Sequence, residues 1–278
     1  MEQMIDTAAG ALAAEFDGPE NGAPVLLLHS VGLSTREGWR EQVAPLADAG
    51  FRVLRFDFPG LGRSPRGDVI PGVESYAVAA IAFLDALGIA HAHVVGVSLG
   101  GFVAQMLALD HPSRVDRLVL VSTACRIAAG NSGARAERNA AIRAGGMKVA
   151  AGPQIDSHFP ADFCAANPQV MDWYRGHYLA NDPETYVAIM EDLGRFDSCA
   201  RLGRIASPTL VVTGGEDASN VAGGVPGRAA RALAAAIPGA VLDIIDGAHH
   251  YPHIDHAETF NRTLLAFLGG SNFPRHEP

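Results

Sequence analysis

The chain has 278 residues, of which 48% are hydrophobic and 18% charged, the balance of a soluble globular protein with room for one large α/β domain. Its formal net charge of −9 argues against a nucleic-acid partner, which needs a basic face. No apolar run approaches the roughly 18 residues that span a bilayer, so no membrane partner is expected.

The opening MEQMIDTAAGALAAEFDG has no basic n-region and no long apolar core. It does not read as a signal peptide, and the cytoplasm is the expected location. Six short runs rich in Val, Leu and Ile then follow in order: PVLLLHS (24–30), FRVLRFD (51–57), AHVVGVS (92–98), RLVLVST (117–123), TLVVTG (209–214) and AVLDIID (240–246). They lack polar alternation, as strands buried on both faces of a parallel sheet do. Helix-period stretches lie between them at about 37–49, 73–87, 100–110 and 227–236, with a last helix at about 255–268. Such alternation predicts right-handed crossovers and a doubly wound, mostly parallel sheet of the α/β class.

The alternation stops between Cys125 and Ser207. NAAIRAGGMKVAAG, NPQVMDWYRGHYLAND and PETYVAIMEDLGRF read as short helices, so 125–206 is expected to be a helical insertion between two parts of a core, 1–124 and 207–278. The insertion holds nine basic and nine acidic residues, so the whole negative balance lies outside it. Its Phe159, Phe163, Trp173 and Tyr178 either line a substrate pocket or pack the insertion's own small core. Cys125, Cys164 and Cys199 are odd in number and widely spaced, so neither a disulfide framework nor a zinc site is expected, and all three read as free thiols. The closing GGSNFPRHEP reads as a frayed tail.

VVGVSLGG (94–101) pins Ser98 between Gly96 and Gly100. A Ser there either caps the next helix or sits on a strained strand-to-helix turn that exposes its hydroxyl as a nucleophile. A buried strand precedes it and GFVAQMLALDHP continues as a helix, the context that the second reading requires. A Ser nucleophile needs a base and a group that orients the base. In parallel sheets such groups collect at the carboxyl ends of strands. After TLVVTG comes GED, which places Asp217 at such an end, with Glu216 as the alternative. After the last strand, DGAHHYPHID offers His249, His250 and His253. Asp57 also ends a strand, but it precedes the Ser and reads as a brace for the Gly-Pro turn. Two backbone N–H groups are expected to form an oxyanion hole. One belongs to Leu99, directly after the Ser, and the other to Val31 in LLLHSVGLS, with Ser30 as the alternative. No ligand-spaced cluster suggests a metal, and no cofactor is required.

On HSVG (29–32), DFPGLGRS (57–64), GVSLGG (96–101), HPSRVDRLVLVST (111–123), GGED (214–217) and GAHHYPHID (247–255), the chain resembles the α/β-hydrolase superfamily over nearly its full length. The order Ser98, Asp217, His250 matches the superfamily's Ser, acid, His. The family's closing pattern, His followed by x-Pro-His-hydrophobic-acid, places the base at His250. A Gly usually precedes that His; here His249 does, which keeps His249 as the alternative. FRVLRFDFPGLGRS, LDALGIAHAHVVGVSLGG, LVLVSTACRI and AAIRAGGM are most similar to the 3-oxoadipate enol-lactonase group. The resemblance implies an α/β-hydrolase fold with a helical lid over Ser98. It also implies hydrolysis of an enol-lactone or another small ester as the small-molecule partner. The chain departs from that group at Leu99, where Met is usual, and at the YPH beside the His, so fold and mechanism carry over ahead of substrate. Two other activities share the fold: carbon–carbon hydrolysis of a β-diketone-like substrate, and non-hydrolytic binding or cyclisation. A dehalogenase or epoxide hydrolase is disfavoured, because those place an Asp where Ser98 stands.

Overall fold

The six apolar runs become six neighbouring strands. The computed structural model describes residues 2–127, 132–218 and 227–270; most of the tail expected to fray lies outside them. In chain order the strands are β1 (Gln3–Thr7), β2 (Gly10–Asp17), β3 (Ala23–Leu28), β4 (Phe51–Phe56), β5 (Ala92–Val97), β6 (Val115–Val121), β7 (Thr209–Gly214) and β8 (Val241–Ile245). They form one sheet in the order β1-β2-β4-β3-β5-β6-β7-β8. From β4 to β8 every pairing is parallel. Val25 to Leu28, Val94, Val95, Leu118 to Val121 and Leu210 to Val212 are all buried. Covered on both faces, these strands have no wet side to mark with polar residues.

The first two strands are absent from the sequence reading. They form an antiparallel hairpin that pairs through Ala14 and Phe56 with β4. GALAAEFD carries small residues in place of the β-branched ones that mark a strand, so the neighbouring β4 decides its conformation.

Helices α1 (Arg40–Asp48), α2 (Val73–Ala86) and α3 (Leu99–Asp110) fill the crossovers before β6. Between β6 and β7 lie α4 (Ser132–Gly145), α5 (Lys148–His158), α6 (Ala161–Ala166), α7 (Pro168–Leu179) and α8 (Pro183–Leu193), the helical insertion. The last of these starts sharply. Pro183 takes its first position, and the Asp182 carboxylate accepts the Thr185 N–H at 2.8 Å. The core closes with α9 (Arg228–Ala236), α10 (Pro252–Asp255) and α11 (Ala257–Leu268). Among the described residues no helix is long and apolar enough to cross a membrane.

The cysteines correct the sequence reading. Cys125 and Cys199 form a disulfide with their Cα atoms 4.9 Å apart, although 74 residues separate them in sequence. The reason is topological. The chain leaves the sheet after β6 and comes back past the same end at Ser198 and Cys199, before it runs down to the start of β7, which lies parallel to β6. Around the bridge the Ser198 N–H donates to the Cys125 carbonyl at 3.0 Å. The Ser198 hydroxyl donates to Gln105 Oε1 at 2.8 Å, and Arg126 pairs with Asp197 at 3.2 Å. Thiol titration of the unfolded, unreduced protein is expected to count one thiol, that of Cys164, and three after reduction. Replacing Cys125 and Cys199 by Ser is expected to lower stability by about 2–4 kcal/mol, read as a shift of the urea midpoint.

Candidate active site

Ser98 sits at the tip of the turn between β5 and α3 with φ 52° and ψ −112°, one of two non-glycine residues with positive φ among those described. For a residue with a Cβ this backbone is strained and persists only where its surroundings hold it. The Ser98 N–H donates to the Val121 carbonyl at 2.9 Å, and the Thr123 hydroxyl donates to the Ser98 carbonyl at 3.1 Å. The flanking glycines are there for space. A Cβ on Gly96 would stand 2.1 Å from the Gly100 carbonyl oxygen, and one on Gly100 would stand 2.1 Å from that of Leu28. This close approach sets the elbow against the end of β3, beside the loop that carries Val31. Leu99 opens α3, so its N–H is one of those that find no acceptor within the helix.

Asp217 is fully buried and His250 nearly so. The two carboxylate oxygens lie 3.1 and 3.2 Å from His250 Nδ1. Their loops are locked together by backbone. The Gly215 N–H donates to the Ile245 carbonyl and the Glu216 N–H to that of Ala248, each at 2.9 Å. A Cβ on Gly214 would stand 2.2 Å from the carbonyl oxygens of both Ala248 and His249. Glu216, the alternative acid, points its side chain to solvent.

The structure also separates the three histidines. The His249 N–H donates to Asp255 Oδ2 at 2.9 Å, and its ring lies 3.4 Å from the Ser157 carbonyl. His253 packs its ring 4.5 Å from Trp39 and 5.9 Å from Phe260. Burial pushes its pKa down to about 3, with the nearby His250 adding to the shift. The closing Pro-His-hydrophobic-acid pattern therefore builds the loop: Pro252 opens α10, His253 and Ile254 are buried, and Asp255 fastens the backbone of His249.

The loop after β3 is pinned from below. His29 Nε2 accepts the Phe58 N–H at 3.0 Å, so its proton sits on Nδ1 and donates to the Ser30 carbonyl at 2.8 Å. Burial lowers the His29 pKa and keeps the ring neutral. Val31 is buried; the Ser30 hydroxyl accepts the Leu33 N–H at 3.0 Å and lies 3.0 Å from the Tyr251 hydroxyl. Asp57 stands apart as the expected brace. Its carboxylate accepts the N–H groups of Arg36 at 2.7 Å and Arg63 at 2.9 Å, and pairs with the Arg36 guanidinium at 2.6 Å.

From the insertion, Phe159 and Tyr178 are buried, and Phe163 stacks on Phe159 at 5.6 Å. Trp173 lies under the Arg40 guanidinium at 4.1 Å, which ties the insertion to α1. The sequence reading missed His158, at the end of α5. Its carbonyl accepts the His250 N–H at 3.2 Å, and its ring packs on that of His250 at 4.8 Å. Burial, with His250 beside it, lowers the His158 pKa well below the ordinary imidazole value. A single His at a helix end belongs to no pattern, so only a structure reveals it.

A serine elbow, an acid loop and a histidine loop in this order on a mostly parallel sheet define an α/β hydrolase. The chain belongs to the alpha/beta hydrolase family, whose model matches residues 25–263. A Variovorax paradoxus protein, provisionally named carbamate hydrolase RutD, is 34% identical over 94% of this chain and 97% of its own length. A Cupriavidus pinatubonensis 2-hydroxy-6-oxononadienedioate/2-hydroxy-6-oxononatrienedioate hydrolase is 31% identical over 95% of this chain and 89% of its own. The crystal structure of the enol-lactonase from Burkholderia xenovorans superposes with a TM-score of 0.87 and 29% identity, over 96% of this chain and all of that one.

Two outcomes follow from the packing of the site. Gly100→Ala is expected to cost more than about 3 kcal/mol, because its Cβ would meet backbone that has nowhere to move; the urea midpoint measures it. His253, whose pKa falls from 6.5 unfolded to about 3 folded, supports folding fully above pH 6.5 and progressively less as pH drops toward 3. Between pH 7 and pH 5 the wild type is expected to lose about 2 kcal/mol more than His253→Phe, read from urea midpoints at the two pH values.

Proposed function

We propose that the chain is a serine hydrolase that cleaves a small carboxylic ester or lactone by acyl transfer through Ser98. The contact of Asp217 with His250 Nδ1 at 3.1 Å, on loops at the carboxyl ends of the sheet that also carries a strained serine elbow, supports this reading. Asp217 keeps the proton of His250 on Nδ1, which leaves Nε2 as the base. Nε2 takes the hydroxyl proton as Ser98 Oγ attacks the carbonyl carbon. The oxyanion so formed receives the N–H groups of Leu99 and Val31, each worth roughly 3–4 kcal/mol in comparable enzymes. As the tetrahedral centre collapses, His250 returns the proton to the leaving oxygen, which departs as an alcohol or, in a lactone, stays tethered to the acyl group. Water deprotonated by His250 then attacks the acyl-enzyme, and the acid and Ser98 are released. No step needs a metal or cofactor.

The enol-lactonase neighbour supports a lactone as substrate. A second reading, hydrolysis of a carbon–carbon bond beside a ketone, draws on the relative named as a hydrolase of 2-hydroxy-6-oxo diacids. A panel of enol-lactones, p-nitrophenyl esters and β-diketones separates the two. A cytoplasmic location goes with the proposal. Alkylation of intact cells before lysis tests it, since a Cys125–Cys199 bridge is unusual in a reducing compartment.

A fluorophosphonate probe is expected to label Ser98 in the wild type and to leave Ser98→Ala unmodified, as read by peptide mass spectrometry. Asp217→Asn is expected to lower kcat roughly 10⁴-fold, the effect of a wrong histidine tautomer in a serine triad. A folded wild type that resists the probe would turn the reading to a non-hydrolytic binder or cyclase.

A further inference from the structure

One chain of buried side chains crosses from the core to the insertion directly above the loop that carries Val31. It begins at Ser30, whose hydroxyl accepts the Leu33 N–H and lies 3.0 Å from Tyr251 Oη. The Tyr251 ring packs edge-on against that of Tyr174 of α7 at 5.6 Å. Tyr174 Oη lies 2.6 Å from Nδ1 of His158 at the end of α5. His158 then meets His250 twice, through its carbonyl on the His250 N–H at 3.2 Å and through its ring at 4.8 Å. Both phenols come down onto Gly32, where a Cβ would stand 2.9 Å from the hydroxyl of Tyr251 and 3.2 Å from that of Tyr174. Gly32 is thus small so that the phenols can reach the loop. All four side chains are buried, and burial raises both tyrosine pKa values, so the phenols stay neutral donors and acceptors.

The ends of this chain are informative. One end is the loop that aims the Val31 N–H, and the other is the ring that backs His250. Ser30 and Tyr251 belong to the core, Tyr174 and His158 to the insertion. We propose that Tyr251 and Tyr174 are positioning residues: through Ser30 and His158 they hold the oxyanion loop and the base in one register, and the chain is complete only when the insertion is seated. Seating the insertion over substrate and assembling the oxyanion hole are then one event. The inference rests on the serine-hydrolase reading and adds to it two residues that need not touch the reacting atoms.

The test uses the full chain as wild type, Tyr251→Phe, Tyr174→Phe and the double variant. Two quantities are read: the rate of Ser98 labelling by a fluorophosphonate, and kcat and KM for p-nitrophenyl butyrate. Each single variant is expected to lose about tenfold in labelling rate and in kcat, the worth of one buried hydrogen bond, with KM within about twofold. The double variant is expected to lose no more than either single one, because a chain broken once is already broken. Variants that label and turn over at the wild-type rate, that change KM alone, or whose losses multiply in the double variant would overturn the proposal. Should a Tyr→Phe variant fail to fold, Ser30→Thr and Ser30→Ala replace it: Thr keeps the hydroxyl and is expected to retain kcat, whereas Ala loses it. Equal kcat for those two overturns the proposal. A wild type that the probe does not label overturns the serine-hydrolase reading itself, whereas a labelled wild type with unaffected variants overturns the positioning role alone.

Discussion

The closeness of α3 to the sheet is the constraint on which the candidate site depends. Side chains normally hold a helix off a sheet, but at Gly96 and Gly100 the backbones of β5, β3 and α3 touch with no room for a Cβ. That contact bends the chain so sharply that Ser98 must take a positive φ. It also aims the N-terminus of α3 at the space beside the hydroxyl, where its unpaired N–H groups favour negative charge. Because β3 lies next to β5, the same contact brings the loop after β3 to the Ser.

The loops of Asp217 and His250 repeat the device two sheet positions further on, at β7 and β8. Gly214 lets the end of β7 press against the backbone of the histidine loop, and two backbone hydrogen bonds fasten the loops together. Asp217 and His250 are thus placed by main chain as much as by their own contact, as a site needing sub-ångström placement requires. The insertion is anchored at several points, among them Trp173 under the Arg40 guanidinium. Its two ends are joined by Cys125 and Cys199, and its helices reach the core at the backbone of His250 through His158.

The core and the insertion contribute different kinds of residue. The core holds the elbow, the acid loop and the histidine loop. The insertion between β6 and β7 contributes Phe159, Tyr174 and Tyr178, residues that no backbone constraint of the sheet prescribes. A carbamate hydrolase name, a hydrolase of oxo-diacids and an enol-lactonase all lie at about 30% identity to this chain. Such a spread of names fits one fold that hosts different sites.

What could be read from the sequence was local. The parallel strands announced themselves because burial on both faces leaves unbroken runs such as PVLLL and LVVTG, and the elbow because its glycines lie within two residues of Ser98. Asp217 followed from its place just past a strand. The resemblance narrowed the histidines to His249 and His250. The fold sets the His250 ring against Asp217 and the His249 backbone against Asp255, and this contact is what favours His250. The β1–β2 hairpin, the Cys125–Cys199 bridge and the Ser30–Tyr251–Tyr174–His158 chain were illegible in the sequence. Each depends on partners that folding alone brings together, 74 residues apart for the cysteines and 221 for Ser30 and Tyr251. The sequence by itself determined where the six parallel strands run and which Ser stands on the strand-to-helix turn, because hydropathy and chain flexibility act over a few residues. Tertiary structure alone decided which distant side chains meet, Asp217 with His250 and Ser30 with Tyr251, because such contacts are set by the order of strands in the sheet.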